Sequence, residues 1–135
     1  MDNGMFENSD APTVLLVEND RNGRRLLSEI LTRMGFKIVA TDDGRDALER
    51  CTQHPSSIDL LLTDLVIPGM NGVELSKRVR ALQPGIKVLF ISGFTEFAAR
   101  QFGFELDGPL LEKPICATAL KSAISEMLQV SRSVA

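Results

Sequence analysis

Residues 58–72 read Ile-Asp-Leu-Leu-Leu-Thr-Asp-Leu-Val-Ile-Pro-Gly-Met-Asn-Gly, and this stretch decides the fold. An apolar run from Ile58 to Leu62, broken once at Asp59, stops at Thr63 and the single carboxylate of Asp64. A short apolar run bounded by turn residues has the pattern of a buried central strand in a parallel sheet. Pro68, Gly69, Asn71 and Gly72 are loop chemistry. Asp64 is therefore expected at the carboxyl end of a buried strand, facing the crevice where open α/β sheets bind ligands.

Around this strand the chain is an ordinary globular one. Its 135 residues fit one domain, with 44% apolar and 24% charged residues. The formal net charge is -3 and no Lys/Arg cluster stands out, so no nucleic-acid footprint is read and a DNA effect would pass through a partner. Cys51 and Cys116 lack metal-ligand spacing and read as plain small apolar residues in a reducing compartment. The single histidine, His54, sits in a polar Gln-His-Pro-Ser-Ser turn and reads as solvated. No signal peptide or membrane-length apolar run is present, which gives the cytoplasm as the expected compartment.

Taken in order, residues 1–12 have no periodicity and read as a tail. Thr13 to Val17 forms a strand ending at Glu18-Asn19-Asp20. Arg21 to Met34 is helical, with Leu27, Ile30, Leu31 and Met34 inward, Asp20 as N-cap and Leu26 about 100° off the buried stripe. A strand over Phe36–Thr41 and a short helix over Arg45–Gln53 follow, the helix burying Ala47, Leu48 and Cys51. After the central strand, Val73–Leu82 is a helix buried through Leu75, Val79 and Leu82. Ile86–Ile91 is the fourth strand, stopping at Ser92-Gly93. Phe94–Phe104 reads as less regular, Pro109–Leu111 as a short fifth strand, and Thr118–Gln129 as a closing helix buried through Leu120, Ile124, Met127 and Leu128. Alternating strands and helices predict a doubly wound α/β fold, flavodoxin-like, with a five-stranded parallel sheet of order 2-1-3-4-5 and five helices. The expected folded unit is residues 13–130, with tails at 1–12 and 131–135.

Such a sheet brings Glu18-Asn19-Asp20, Asp64, Ser92 and Lys113 to one rim. An acidic cluster there suits a hard divalent cation such as Mg²⁺. An aspartate beside that ion can attack phosphorus to give an aspartyl phosphate. A hydroxyl and an ammonium can then bind the phosphoryl oxygens. Each residue alone has a plain structural role, as a cap, a turn or a surface lysine; four strand ends carrying them together point to a site.

With those residues in view, the chain resembles the receiver domain of two-component response regulators from about Thr13 to Gln129. The marks are Val-Leu-Leu-Val-Glu-Asn-Asp, the Gly35–Leu48 run, Thr-Asp-Leu-Val-Ile-Pro-Gly-Met-Asn-Gly, Phe-Ile-Ser-Gly and Leu-Glu-Lys-Pro. The resemblance implies a phosphorelay signalling domain and not an enzyme. Asp64 would accept a phosphoryl group from a sensor histidine kinase or histidine phosphotransfer protein and alter binding to a downstream protein, with no membrane or direct nucleic-acid partner. It further implies that Glu18 and Asn19 occupy the metal-binding acid pair and that Val66 offers its backbone carbonyl to Mg²⁺. Ser92 would be the switch hydroxyl, Lys113 the phosphate-binding lysine, and Lys113-Pro114 a cis bond. A phosphorylation-dependent dimer is compatible with it. Two positions depart from the pattern. Asn19 stands where an Asp is usual, which implies weak Mg²⁺ binding, and Leu110 stands at the aromatic switch position.

Three other readings compete with it. A flavin protein of this topology needs a Ser/Thr/Gly-rich phosphate loop after the first strand, where Glu-Asn-Asp would repel phosphate. A haloacid-dehalogenase-like phosphatase carries its aspartate after the first strand, not the third. A pseudo-receiver, binding partners without phosphorylation, is the rival that Asn19 raises.

Overall fold

A computed structural model of the chain describes residues 11–53 and 58–128; His54, residues 1–10 of the expected N-terminal tail, Gln129 at the expected end of the last helix, and the whole expected tail 131–135 lie outside them. The elements are β1 (Thr13–Val17), α1 (Arg21–Arg33), β2 (Lys37–Thr41), α2 (Gly44–Gln53), β3 (Leu60–Asp64), β4 (Val66–Ile67), β5 (Met70–Asn71), α3 (Gly72–Leu82), β6 (Lys87–Ser92), α4 (Glu96–Gln101), β7 (Leu110–Glu112) and α5 (Ala117–Leu128). Among the described residues the main sheet is five-stranded and parallel, in the order β2-β1-β3-β6-β7. This is the expected 2-1-3-4-5 order, with β4 and β5 forming a separate antiparallel hairpin after the central strand. The hairpin stands where the sequence predicts only loop. Its turn is Pro68-Gly69 with Gly69 at φ 85°, a conformation that glycine adopts freely after a proline.

The central strands β1 and β3 are buried along their whole length, and period-two alternation splits their side chains between two apolar layers. Leu15, Val17, Leu61, Val88 and Phe90 face a layer closed by Ala47, Leu75, Val79 and Ala99 of α2, α3 and α4. Val14, Leu16, Leu60, Leu62, Leu89 and Ile91 face Leu27, Leu31, Leu120 and Ile124 of α1 and α5. Each fully buried leucine or isoleucine contributes roughly 1.5–3 kcal/mol of transfer free energy, so the layers hold the strand ends in place.

Three local expectations are corrected. Leu82 is 44% exposed rather than buried; at that end of α3 the Gln83 side chain accepts the Ile58 N–H at 3.1 Å and donates to the Cys51 carbonyl at 3.4 Å. Met127 and Leu128 are only half-buried at the end of α5. The stretch read as less regular holds α4, the fifth expected helix, which Thr95 caps by accepting the Ala98 N–H. Cys51 is buried, but Cys116 is exposed, and backbone N–H groups of Ala119 and Thr118 hold its thiol below the usual range.

Candidate functional site

Parallel pairing carries the strand ends to one rim: Val17 stands opposite Thr63, Asp64 opposite Ile91, and Ser92 opposite Glu112. Asp64 is the last residue of β3 and 6% exposed. Its backbone is fixed from two sides. The Thr63 hydroxyl donates to the Asp64 carbonyl at 2.9 Å. A Cβ placed on Gly72 would come within 2.4 Å of that same carbonyl oxygen, so only glycine lets α3 begin so close to it. Asn71 caps α3 by accepting the Glu74 N–H at 2.8 Å, an Asn-x-x-Glu pairing that sets the helix start.

Glu18, 2% exposed, directly follows β1. Its Oε2 accepts the Asp20 N–H at 2.9 Å and its Oε1 accepts Lys113 Nζ at 2.9 Å. The same ammonium lies 2.8 Å from Asp64 Oδ1. One lysine therefore bridges two buried carboxylates across strands that are 95 residues apart at the outer pair. Burial first, and then the nearby Glu18, push the Asp64 carboxyl up to about 7, with Lys113 opposing. Burial also works against a charged Glu18, but hydrogen bonds with Asp64, Lys113 and Asp20 prevail and hold it below its usual value. Burial opposes a charged Lys113 as well, and its two carboxylate partners outweigh that and raise it. Two acids thus share one compensating positive charge, and of the two it is Asp64 whose carboxyl is pushed up.

The other rim residues are placed as follows. Asn19 is tied to the β2–α2 loop, its Nδ2 donating to the Asp42 carbonyl at 3.4 Å. Asp20 caps α1, its Oδ2 accepting the Gly23 N–H at 2.7 Å. Ser92 is buried, and its Oγ accepts the Phe94 N–H at 2.8 Å. Lys113 donates its backbone N–H to the Ser92 carbonyl at 2.7 Å, and the Lys113-Pro114 bond is cis. Val66 and Leu26 are exposed at 62% and 54%. Among the described residues no three His, Cys, Asp or Glu side chains gather as a metal cage. The acids fit a divalent ion as a pair only: two buried carboxylates sharing one ammonium lack positive charge that a cation would supply.

Sequence reasoning missed Arg24 and Gly23. Arg24 Nη1 donates to the Glu18 carbonyl at 2.9 Å and the Asn19 carbonyl at 3.4 Å, fastening the β1–α1 loop. Its spacing after Asn19 is the one available signal, a residue on the first turns of α1 able to reach back.

The response regulator receiver domain model matches residues 14–125. The response regulator receiver protein CpdR of Brucella abortus (strain 2308) is 37% identical over 116 residues, covering 85% of this chain and 95% of that protein. Sporulation initiation phosphotransferase F of Bacillus subtilis (strain 168) is 30% identical over 117 residues, covering 85% and 92%. Among solved structures, a response regulator receiver protein from Sinorhizobium medicae WSM419 superposes with a TM-score of 0.78 at 26% identity, covering 92% of this chain and 99% of that one. The receiver domain of the hybrid histidine kinase CckA gives 0.74 at 29% identity, covering 87% and 99%. A match that runs from β1 through both acids and Lys113 into α5 makes this chain a member of the response regulator receiver domain family, the receivers of phosphorelay signalling.

Proposed function

We propose that Asp64 is the phosphoacceptor of this receiver. The observation that carries the reading is the Lys113 ammonium 2.8 Å from a buried carboxylate at the end of the central strand. An ionised Asp64 oxygen attacks the phosphorus of a phosphohistidine on a sensor kinase or histidine phosphotransfer protein. The new P–O bond forms as the P–N bond breaks, and the imidazole, protonated on its other ring nitrogen, leaves as a neutral group with the electron pair of that bond. Lys113 then meets the phosphoryl oxygens, and Ser92 donates its hydroxyl hydrogen to one of them.

Receiver domains generally bind Mg²⁺ at their acidic pocket. In this chain Glu18 and Asp64 would hold it, with the Val66 carbonyl and Asn19 amide oxygen as neutral donors. A divalent ion there supplies the charge that lets both carboxylates ionise at neutral pH. Asn19 brings no charge, so the affinity is low. The receiver unit is proposed as residues 13–130, and its output is altered binding of a downstream protein, dimerisation included. No described helix is long and apolar enough to cross a membrane; the cytoplasm, usual for receivers, is the proposed compartment.

The test is incubation with a small acyl-phosphate donor and Mg²⁺, read by intact mass. Wild type gains one phosphoryl group and Asp64→Asn gains none. An unmodified wild type at high Mg²⁺ would return the chain to the pseudo-receiver reading.

A further inference from the structure

Gly23 is the third residue of α1 after the Asp20 cap. A glycine inside a helix costs roughly 1 kcal/mol relative to alanine, so its presence there asks for a reason other than helix formation. The hydrogen bond it makes, from its N–H to Asp20 Oδ2 at 2.7 Å, uses the backbone and could be made by other residues. What glycine alone leaves is space. A Cβ placed on it would lie 3.3 Å from Glu18 Cδ, 3.3 Å from Glu18 Oε1 and 3.3 Å from Asp20 Oδ2. Those approaches are closer than comfortable non-bonded contact. The Glu18 carboxylate is held where it stands: Lys113 has one oxygen and the Asp20 amide the other.

We propose that Gly23 is a positioning residue, whose missing side chain leaves the Glu18 carboxylate room to sit on Lys113 beside Asp64. The role of that carboxylate rests on the phosphoacceptor reading above. Because Asn19 brings no charge, Glu18 supplies one of the two carboxylates offered to a divalent ion, and displacing it is felt directly.

The experiment places Gly23→Ala in the wild-type chain and in Glu18→Asp. Three readouts are followed: NMR of the residue 18 carboxyl carbon and Asp20 amide, a Mg²⁺ titration, and the thermal midpoint. In the wild-type background both resonances shift, the midpoint holds or rises, and Mg²⁺ affinity falls about 3–10-fold, below the loss typical of deleting an outer-shell partner. In Glu18→Asp the shorter side chain clears the methyl group, and Gly23→Ala changes affinity by less than about two-fold, as independent sites do. Unmoved Glu18 and Asp20 resonances overturn the proposal whatever Mg²⁺ does. So does an equal loss of affinity, or an equal fall in midpoint, in both backgrounds. If the resonances move while wild type neither binds Mg²⁺ nor accepts a phosphoryl group, the positioning role stands and the phosphoacceptor reading falls.

Discussion

The Ser92 hydroxyl accepts the backbone N–H of Phe94 at 2.8 Å, so the proposed switch hydroxyl is already tied to its own loop. The Phe94 ring lies 5.0 Å from that of Phe102, at 36°, and Phe102 closes the end of α4 with most of its surface exposed. Leu110, half-buried in the same apolar layer, has no polar group to follow the hydroxyl. When Ser92 turns toward a phosphoryl group on Asp64, Phe94 is expected to move with it and disturb Phe102. NMR with a phosphoryl mimic should show shifts running through Phe94 and Phe102 with little at Leu110. Silence from Phe94 to Phe102, with large shifts elsewhere, defeats this route.

Asn19→Asp should strengthen Mg²⁺ binding at least ~10-fold, since it adds a full charge to a two-carboxylate pair. The same change replaces an amide that donates to the Asp42 carbonyl with a group that cannot donate. A third carboxylate beside Glu18 and Asp64 also raises the cost of the metal-free state. Without Mg²⁺ the variant should lose about 1 kcal/mol of stability by urea unfolding. Equal Mg²⁺ affinity in both proteins rules out this account of Asn19.

The metal-free protein should be less stable at pH 8 than at pH 5. Asp64 titrates near 7 when folded, against 3.8 as a free side chain. Between those values the folded state binds the extra proton, so stability falls as pH rises and stays reduced above 7. Glu18 is shifted the other way; its contribution is present above its free value of 4.5 and is lost only as pH falls below that. Asp64→Asn should remove the slope, gaining about 1–3 kcal/mol at pH 8 and little at pH 5, because Lys113 keeps Glu18 as partner. Urea unfolding in EDTA at the two pH values measures it, and an unchanged slope in the variant assigns the effect elsewhere.

Leu26 is 54% exposed on α1 while its neighbour Leu27 is buried. Leu26→Ala should slow phosphoryl transfer from the cognate kinase about 5–20-fold, the loss of one apolar anchor worth about 1–2 kcal/mol. Transfer from a small acyl phosphate should not change. An equal effect on both donors indicates misfolding and removes Leu26 as a contact with the kinase.

The central strand and its terminal aspartate were legible because a buried parallel strand has an unbroken apolar run, and Thr63-Asp64 marks where burial meets the crevice. Asp20 as a cap was legible from its place before Arg21. Leu82 was misread because the Leu75, Val79, Leu82 spacing describes a helix face but not where the core beneath it ends. The fifth helix, α4, was legible only as a less regular segment, since it has six residues and exposes Phe97 and Phe102, leaving no apolar stripe. The candidate residues of the site could be named from strand ends. That one ammonium would join Glu18 to Asp64, and that Asn19 would turn to Asp42, depends on side-chain rotamers that no linear pattern records.

The carbonyl of Asp64, held by the Thr63 hydroxyl and closed off by Gly72, has a mechanical consequence. The backbone under the proposed acceptor works as a fixed anvil that cannot recoil when charge is added to its side chain. Whatever force a phosphoryl group exerts is delivered sideways, to Lys113 and to the more exposed loop that follows Ser92, and the central strand itself stays still.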